Sequence, residues 1–333
     1  MRYLFLLWAI WGWAGTVGGQ DLHFSQFSRN PTNLNPAMAG AFRGDVRATG
    51  MVRSQWQAVP VPYFTTTLLG DAKVRDFGTG ILGAGLQLDY DRAGDGALSW
   101  LRVGTAVAYT QQLTDRVFLS GGAQATYAQR RFDPTGLTFA EQFNGDVFEP
   151  GRLGESFAVT QAGTVSLSGG LNLHVQVPRT RTKLDFGAAG FHVNRPDFSF
   201  QTVGATVAWQ PRLNGYALGV YEMQPQLDLV GQALYQRQIS YQELLVGGGL
   251  RYHLRTAPDQ ELSVQLTVSH RLQDALIPAV EVRYRMFTGG VSYDFNVSEF
   301  AVATGGRGGP ELFFQYILTR VQPPVGLKTC PIF

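Results

Sequence analysis

Five histidines, His23, His174, His192, His253 and His270, are the side chains best suited to hold a metal or move a proton, but no two stand at the spacing of a metal-ligand pair. A hydrolase needs serine, histidine and a carboxylate brought together. His174 with Ser166 or Ser168 could supply part of that set, and nothing in their spacing selects them. The run Gly78 to Gly83 (GTGILG) fits the pattern G-x-G-x-x-G. That pattern cradles a dinucleotide only between a strand and a helix, and here a second strand follows. Asp89, Asp91 and Asp95-Gly96 have the look of a calcium loop, without the glutamate that should close it. Gly305 to Gly309 precedes a strand rather than a helix, so it offers no phosphate cradle and reads as a flexible outer loop. The expectation is no catalytic centre, no metal and no cofactor.

The elements that carry these residues alternate from end to end. Val46, Ala48, Gly50, Val52 and Trp56 fall on one face of 46–56, with Arg47, Thr49, Arg53 and Gln55 on the other. Leu262, Val264, Leu266 and Val268 oppose Ser263, Gln265, Thr267, Ser269 and Arg271. Val280, Val282, Tyr284 and Met286 oppose Glu281, Arg283 and Arg285. A period of two marks strands with one apolar face. These candidates run to about 10–15 residues, whereas soluble strands average about 5–6. A tilted strand crossing a membrane needs about 9–11 residues, apolar toward lipid and polar toward the lumen. Closing the sheet also removes edges that hydrocarbon could not satisfy. The fold class this predicts is all-β, an antiparallel transmembrane β-barrel.

Candidate strands lie near 45–57, 63–73, 78–90, 98–112, 116–130, 160–176, 181–193, 214–223, 226–237, 242–255, 260–271, 277–286, 289–297 and 310–319. A weaker candidate at 201–210 would break the order of short periplasmic turns and long outer loops that bacterial barrels keep. Assigning it to a loop leaves fourteen strands, an even number.

At the N-terminus, Met1-Arg2, the apolar run Tyr3 to Trp13 and the small residues Ala14, Gly15, Gly18 and Gly19 have the order of a cleaved export signal. The run is too short to span as a helix. The predicted domains are therefore a signal at 1–19, an irregular leader at 20–44, a barrel at 45–319 and a periplasmic tail at 320–333. Forty glycines, 16% charged residues and a formal charge of +2 suit neither a disordered chain nor a nucleic-acid binder. Cys330 is the one cysteine, so no internal disulfide forms.

The segment Gln20 to Gly40 (QDLHFSQFSRNPTNLNPAMAG) resembles the opening of the PorP/SprF family of type IX secretion system membrane proteins. Further similar segments follow in order at Arg53 to Trp56, Tyr90 to Leu98, Leu137 to Phe143, Phe191 to Phe200 and Val291 to Ser298. Leu22 stands where the family pattern has proline, and 144–163 and 201–213 show no match. The resemblance implies an outer-membrane component of the Bacteroidetes secretion and gliding machinery. It also implies contact with outer-membrane lipid and with periplasmic ring subunits, and retention of a secreted adhesin as cargo. Asn35-Pro36-Ala37 further resembles the hatch of fatty-acid-transporter barrels, which keeps a small-solute transporter open as the alternative.

Partner-binding residues are expected in the two non-barrel segments. Phe24, Phe27, Asn35 and Pro36 are too apolar for a free tail and lack alternation, which predicts a leader that occupies or caps the periplasmic mouth. Lys328, Cys330 and Phe333, in a tail with Pro323, Pro324 and Pro331, predict a docking strap, because proline forbids a further ladder strand. Lumen-facing Arg47, Arg53, Glu281, Arg283 and Arg285 suit either a filled interior or a pore.

Overall fold

The computed structural model describes residues 21–55, 63–94, 98–134, 137–138, 140–149, 159–199, 208–257, 260–298 and 301–319. The expected signal at 1–19, the tail at 320–333 and most of 201–210 lie outside the described residues. Fourteen antiparallel strands close on themselves, each hydrogen-bonded to its chain neighbours, with the last paired to the first. They are β1 (Val46–Gln55), β2 (Tyr63–Asp76), β3 (Gly80–Ala93), β4 (Leu98–Gln112), β5 (Val117–Arg131), β6 (Gln161–Gln176) and β7 (Lys183–Phe191). The second half comprises β8 (Arg212–Gln224), β9 (Leu227–Gln238), β10 (Tyr241–Arg255), β11 (Leu262–Arg271), β12 (Ala275–Tyr284), β13 (Phe287–Asn296) and β14 (Arg307–Leu318). The final strand starts three residues earlier than its alternation suggested. Gly305 and Gly306, both at positive φ, form the turn into it, and Arg307 and Gly309 already pair in the ladder, with Gly308 at a bulge between them. That stretch is half turn and half wall rather than a loose loop.

Pairing fixes the face of every residue. In β1, Arg47, Thr49, Met51 and Arg53 are buried inward, while Ala48 and Val52 are exposed outward. On β11 Leu266 and Val268 point out at 58% and 53% exposure, and Ser263, Ser269 and Arg271 are buried inside. An outer belt this apolar on a single chain is the surface of a barrel that sits in hydrocarbon. Short links join β2 to β3, β4 to β5, β8 to β9 and β12 to β13 at one end. The long links after β5, β7 and β13 lie at the other. By that asymmetry the short-turn end faces the periplasm. Val46 pairs with Leu318, so the barrel begins and ends at that periplasmic rim.

Leu266 and its neighbour Gln265 make the register testable. Gln265 accepts two bonds from Arg251, at 3.0 and 2.6 Å. Gln265→Glu should be tolerated, because a carboxylate there meets a guanidinium. Leu266→Arg should cost about 2–4 kcal/mol if it lies near the bilayer midplane. Urea unfolding in lipid vesicles compares the two; a Glu variant less stable than the Arg variant would overturn the assigned faces.

Candidate functional site

The leader from Asp21 to Gly44 lies inside the barrel. Three short helical turns, Phe27–Arg29, Pro31–Leu34 and Pro36–Met38, fold it compactly. Asn30 and Asn35 stand before prolines, which end one turn and start the next. The Asn35 side chain accepts a bond from Ala37 N at 2.9 Å and so caps the last turn.

This last turn rests on a wall made of glycine. A Cβ on Gly122 would come within 2.6 Å of the Ala37 backbone, and side chains on Gly83 or Gly170 would collide with Ala39 and Asn35. Gly83 and Gly122 are needed because leader backbone lies directly on them, and Gly170 because the Asn35 side chain does. The Asn35 amide then donates to Leu171 O at 2.8 Å and Tyr216 Oη at 3.1 Å. Gly40 N donates to Asp71 at 2.8 Å, and Asp71 is also gripped by Arg47 through two bonds. Phe27, Leu34 and Met38 pack with the inward-facing Tyr216, Leu234, Leu245 and Ile277. Phe24 packs with Met51 and Phe313. Burying each large apolar side chain contributes about 1.5–3 kcal/mol.

Farther out, the polar residues of the leader meet buried charges of the wall. Glu311 accepts the backbone N–H groups of Ser25 and Gln26, both at 2.8 Å. The Ser25 hydroxyl donates to Asp294 at 2.7 Å and accepts from Arg271 at 2.7 Å. Arg53 bridges the same cluster, 2.8 Å from Asp294, and donates to the His23 carbonyl. Lower down, Arg29 pairs with Glu281 and Thr32 donates to Gln87.

Asp21 forms the outermost lock. It pairs with Arg102 and Arg212, each at 2.9 Å, and its backbone N–H donates to Gln238. His192, from the loop after β7, contacts Asp21 at 2.8 Å and Ser166 at 2.6 Å through its two ring nitrogens. Burial alone would raise the Asp21 carboxyl, but Arg212, His192 and Arg102 hold it well below the usual carboxylate range. Burial pushes the His192 imidazole down, against the pull of Asp21. Serine, histidine and aspartate thus stand in line, but Ser166 is fully buried and Asp21 is committed to two arginines. The line holds the leader in place rather than presenting a nucleophile. Trp209 stacks on His192 at 3.7 Å and on Phe198 at 5.3 Å. The Arg130 guanidinium lies 3.6 Å over Trp100 and 4.4 Å over Phe198. This aromatic group packs at the outer end of the lumen.

Phe24, Phe27, Asn35 and Pro36 are therefore all buried against the barrel's own wall. Lys328, Cys330 and Phe333 lie outside the described residues. The leader also reaches beyond the periplasmic mouth expected for it. Arg212 opens β8 and Gln238 closes β9, both at the outer end, so Asp21 sits in the outer half of the lumen. Asp21, Ser25, Arg102, Asp294 and Glu311 escaped the sequence reading, and His192 entered it only as one of five scattered histidines. Strand parity places the wall residues inward, but only the closed register shows which of them meet Asp21 or Ser25. Among the described residues no group of three or more histidine, cysteine or acidic side chains is placed to hold a metal ion. Asp89 is instead bound by Arg102 and Thr67, and Asp91 by Thr65.

The model of the type IX secretion system membrane protein PorP/SprF matches residues 16–316. The chain belongs to the PorP/SprF family. A PorP/SprF protein with this fold is an outer-membrane barrel of the type IX secretion system, and neither family nor fold is that of a known enzyme class. No curated protein matches it in sequence. Among solved structures it is similar to the Ralstonia pickettii toluene transporter TbuX, with TM-score 0.50 and 12% identity over 90% of this chain and 96% of that one. A Pseudomonas aeruginosa FadL homologue gives TM-score 0.49 and 11% identity, over 85% and 92%. At such identities the likeness is one of fold.

The glycine wall yields a test of seating. Gly122→Val should expel the 36–40 turn, because the added carbons meet backbone that cannot yield. Limited trypsin digestion of the folded barrel should then cut at Arg29 or Arg43, whereas wild type resists at Arg29. Protection of Arg29 in the variant would show that the turn does not depend on the glycine.

Proposed function

We propose that this protein is a closed, plugged barrel that serves type IX secretion by binding protein partners: machine subunits from the periplasm and a secreted adhesin at the cell surface. The observation that carries this reading is the leader, which fills the lumen from the outer end down and leaves only a vestibule at the periplasmic rim. The leader is fixed by ion pairs and clamped backbone from Asp21 down to Gly40, and it shares an apolar core with the wall. A cavity beside it, between Arg29, Gln232 and Glu281, has a volume of about 30 Å³. That is room for a water rather than a solute. A conducting transporter needs a continuous path, and a binding scaffold does not.

Planar bilayers test the closure. Wild type should show no steady conductance, and deletion of residues 20–42 should open a large one. Steady conductance by wild type would instead favour the small-solute reading.

The export signal at 1–19 and the strap at 320–333 belong to the same proposal. β14 ends at Leu318 on the periplasmic rim, so the chain leaves the barrel where ring subunits would meet it. Lys328, Cys330 and Phe333 would supply charge, a crosslinking handle and an apolar anchor. Truncation after Arg320 should leave membrane insertion intact and abolish crosslinks to ring subunits. Absence of any periplasmic crosslink from Cys330 in the full-length protein, in its native cell, would end the strap idea.

A further inference from the structure

Beside the lower leader, the periplasmic half of the lumen holds cations that have no carboxylate of their own in direct contact. Its carboxylates are already engaged. Asp185 is bound by His174 at 2.8 Å, Asp228 by Arg181 at 2.9 Å and His253 at 2.7 Å, and Glu281 by Arg29. Lys183, Arg251 and Arg283 are among the cations left over. Among the described residues, none of the three has a carboxylate oxygen within 4 Å. Arg251 donates only to the neutral Gln265.

Their positions make one space. Lys183 begins β7 at the periplasmic rim, and Arg283 lies one residue from the end of β12 at the same rim. Arg251 is four residues from the end of β10. All three share the inward parity of their strands, fixed by the buried Ala189, Leu245 and Glu281. In register Lys183 lies level with Gly249, two residues from Arg251, and Arg251, Gln265 and Glu281 stand side by side, so these cations and the leader's Arg29, bound to Glu281, face a common vestibule. Lys183 and Arg283 are exposed and Arg251 is half-buried, which leaves the vestibule open to entering groups.

We propose that this vestibule is a receptor for an acidic peptide segment that enters from the periplasm. The leader closes the space above, so a ligand can dock there but not pass. The cations face the lumen, out of reach of lipid headgroups around the outer wall. They are spread over β7, β10 and β12, with strands spaced about 4.8 Å apart. Several carboxylates on one extended chain satisfy such a spread better than a single small anion. Guanidinium forks match carboxylates two bonds at a time, and low-dielectric walls focus the field toward the mouth. The inference rests on the reading that secretion subunits bind from the periplasm, and it names where and by what chemistry one of them would dock.

The test uses the full-length protein in nanodiscs and a fluorescein-labelled hexaglutamate peptide, read by polarisation. Binding is expected at low salt and should weaken as salt screens it. The triple variant Lys183→Gln, Arg251→Gln, Arg283→Gln should bind at least about tenfold more weakly, the loss of a few charge-assisted contacts. Arg283→Gln alone, at an exposed rim position, should show a smaller loss in the same direction. A hexaglutamine peptide should not bind. Unchanged hexaglutamate binding by the triple variant would overturn the proposal, as would inorganic phosphate displacing the peptide at equal concentration. Co-purification from native membranes separates the two levels. If wild type and triple variant bring down secretion subunits equally, the vestibule is not their docking point and the inference fails while partner binding stands. If wild type brings down none, partner binding itself fails.

Discussion

A closed barrel sends every second side chain into an interior that has no core of its own, and the rest of this structure follows from how that interior is satisfied. In β1 the inward set is Arg47, Thr49, Met51 and Arg53, and in β14 it is Glu311, Phe313 and Gln315. Left to water these would line a channel. Here they are bonded and packed by the chain's own leader. Buried charges are tolerated only when paired and hydrogen-bonded, and the leader supplies what the wall lacks. Its two backbone N–H groups satisfy Glu311, its hydroxyl joins Asp294 to Arg271, and its aspartate neutralises a pair of arginines.

The same constraint explains the residues that break polar-inward parity. Leu234, Leu245 and Ile277 point into the lumen because Phe27, Leu34 and Met38 cover them. Gly83, Gly122 and Gly170 are bare because the last turn of the leader lies against them. Wall and leader are therefore one folding unit, with a polar lock above and a packed turn below. The periplasmic end differs, since Lys183, Arg251 and Arg283 there have no carboxylate oxygen within 4 Å among the described residues.

The barrel was legible in the sequence because period two survives in nearly every strand, most cleanly in 261–271. The parity of short and long links then fixed the count at fourteen. That the leader is no free tail could also be read, from aromatic residues and Asn-Pro steps without alternation. Its reach could not. Ser25 meets Glu311 across 286 positions of sequence, and Asp21 meets Arg212 across the whole first half of the barrel. Such partners are set by the tilt and closure of fourteen strands, and no local pattern encodes them. The glycines under the leader were misleading for the same reason. Gly83 reads as part of a nucleotide motif or a bend until the backbone that lies on it is known.

The even strand count has a consequence for the two ends of the chain. Fourteen passes of the wall return β14 to the rim where β1 began, so both ends of the wall lie at the periplasmic rim. The leader adds a fifteenth pass, made through the middle and without a strand, from the inner rim at Gly44 up to Asp21 beside the outer mouth. An odd number of passes turns the molecule into a through-going thread, with Asp21 near the cell exterior and Leu318 at the interior rim. The leader alone thereby joins the two ends of the barrel along a covalent line inside the lumen, so a pull on Asp21 would pass through it to β1 at the inner rim.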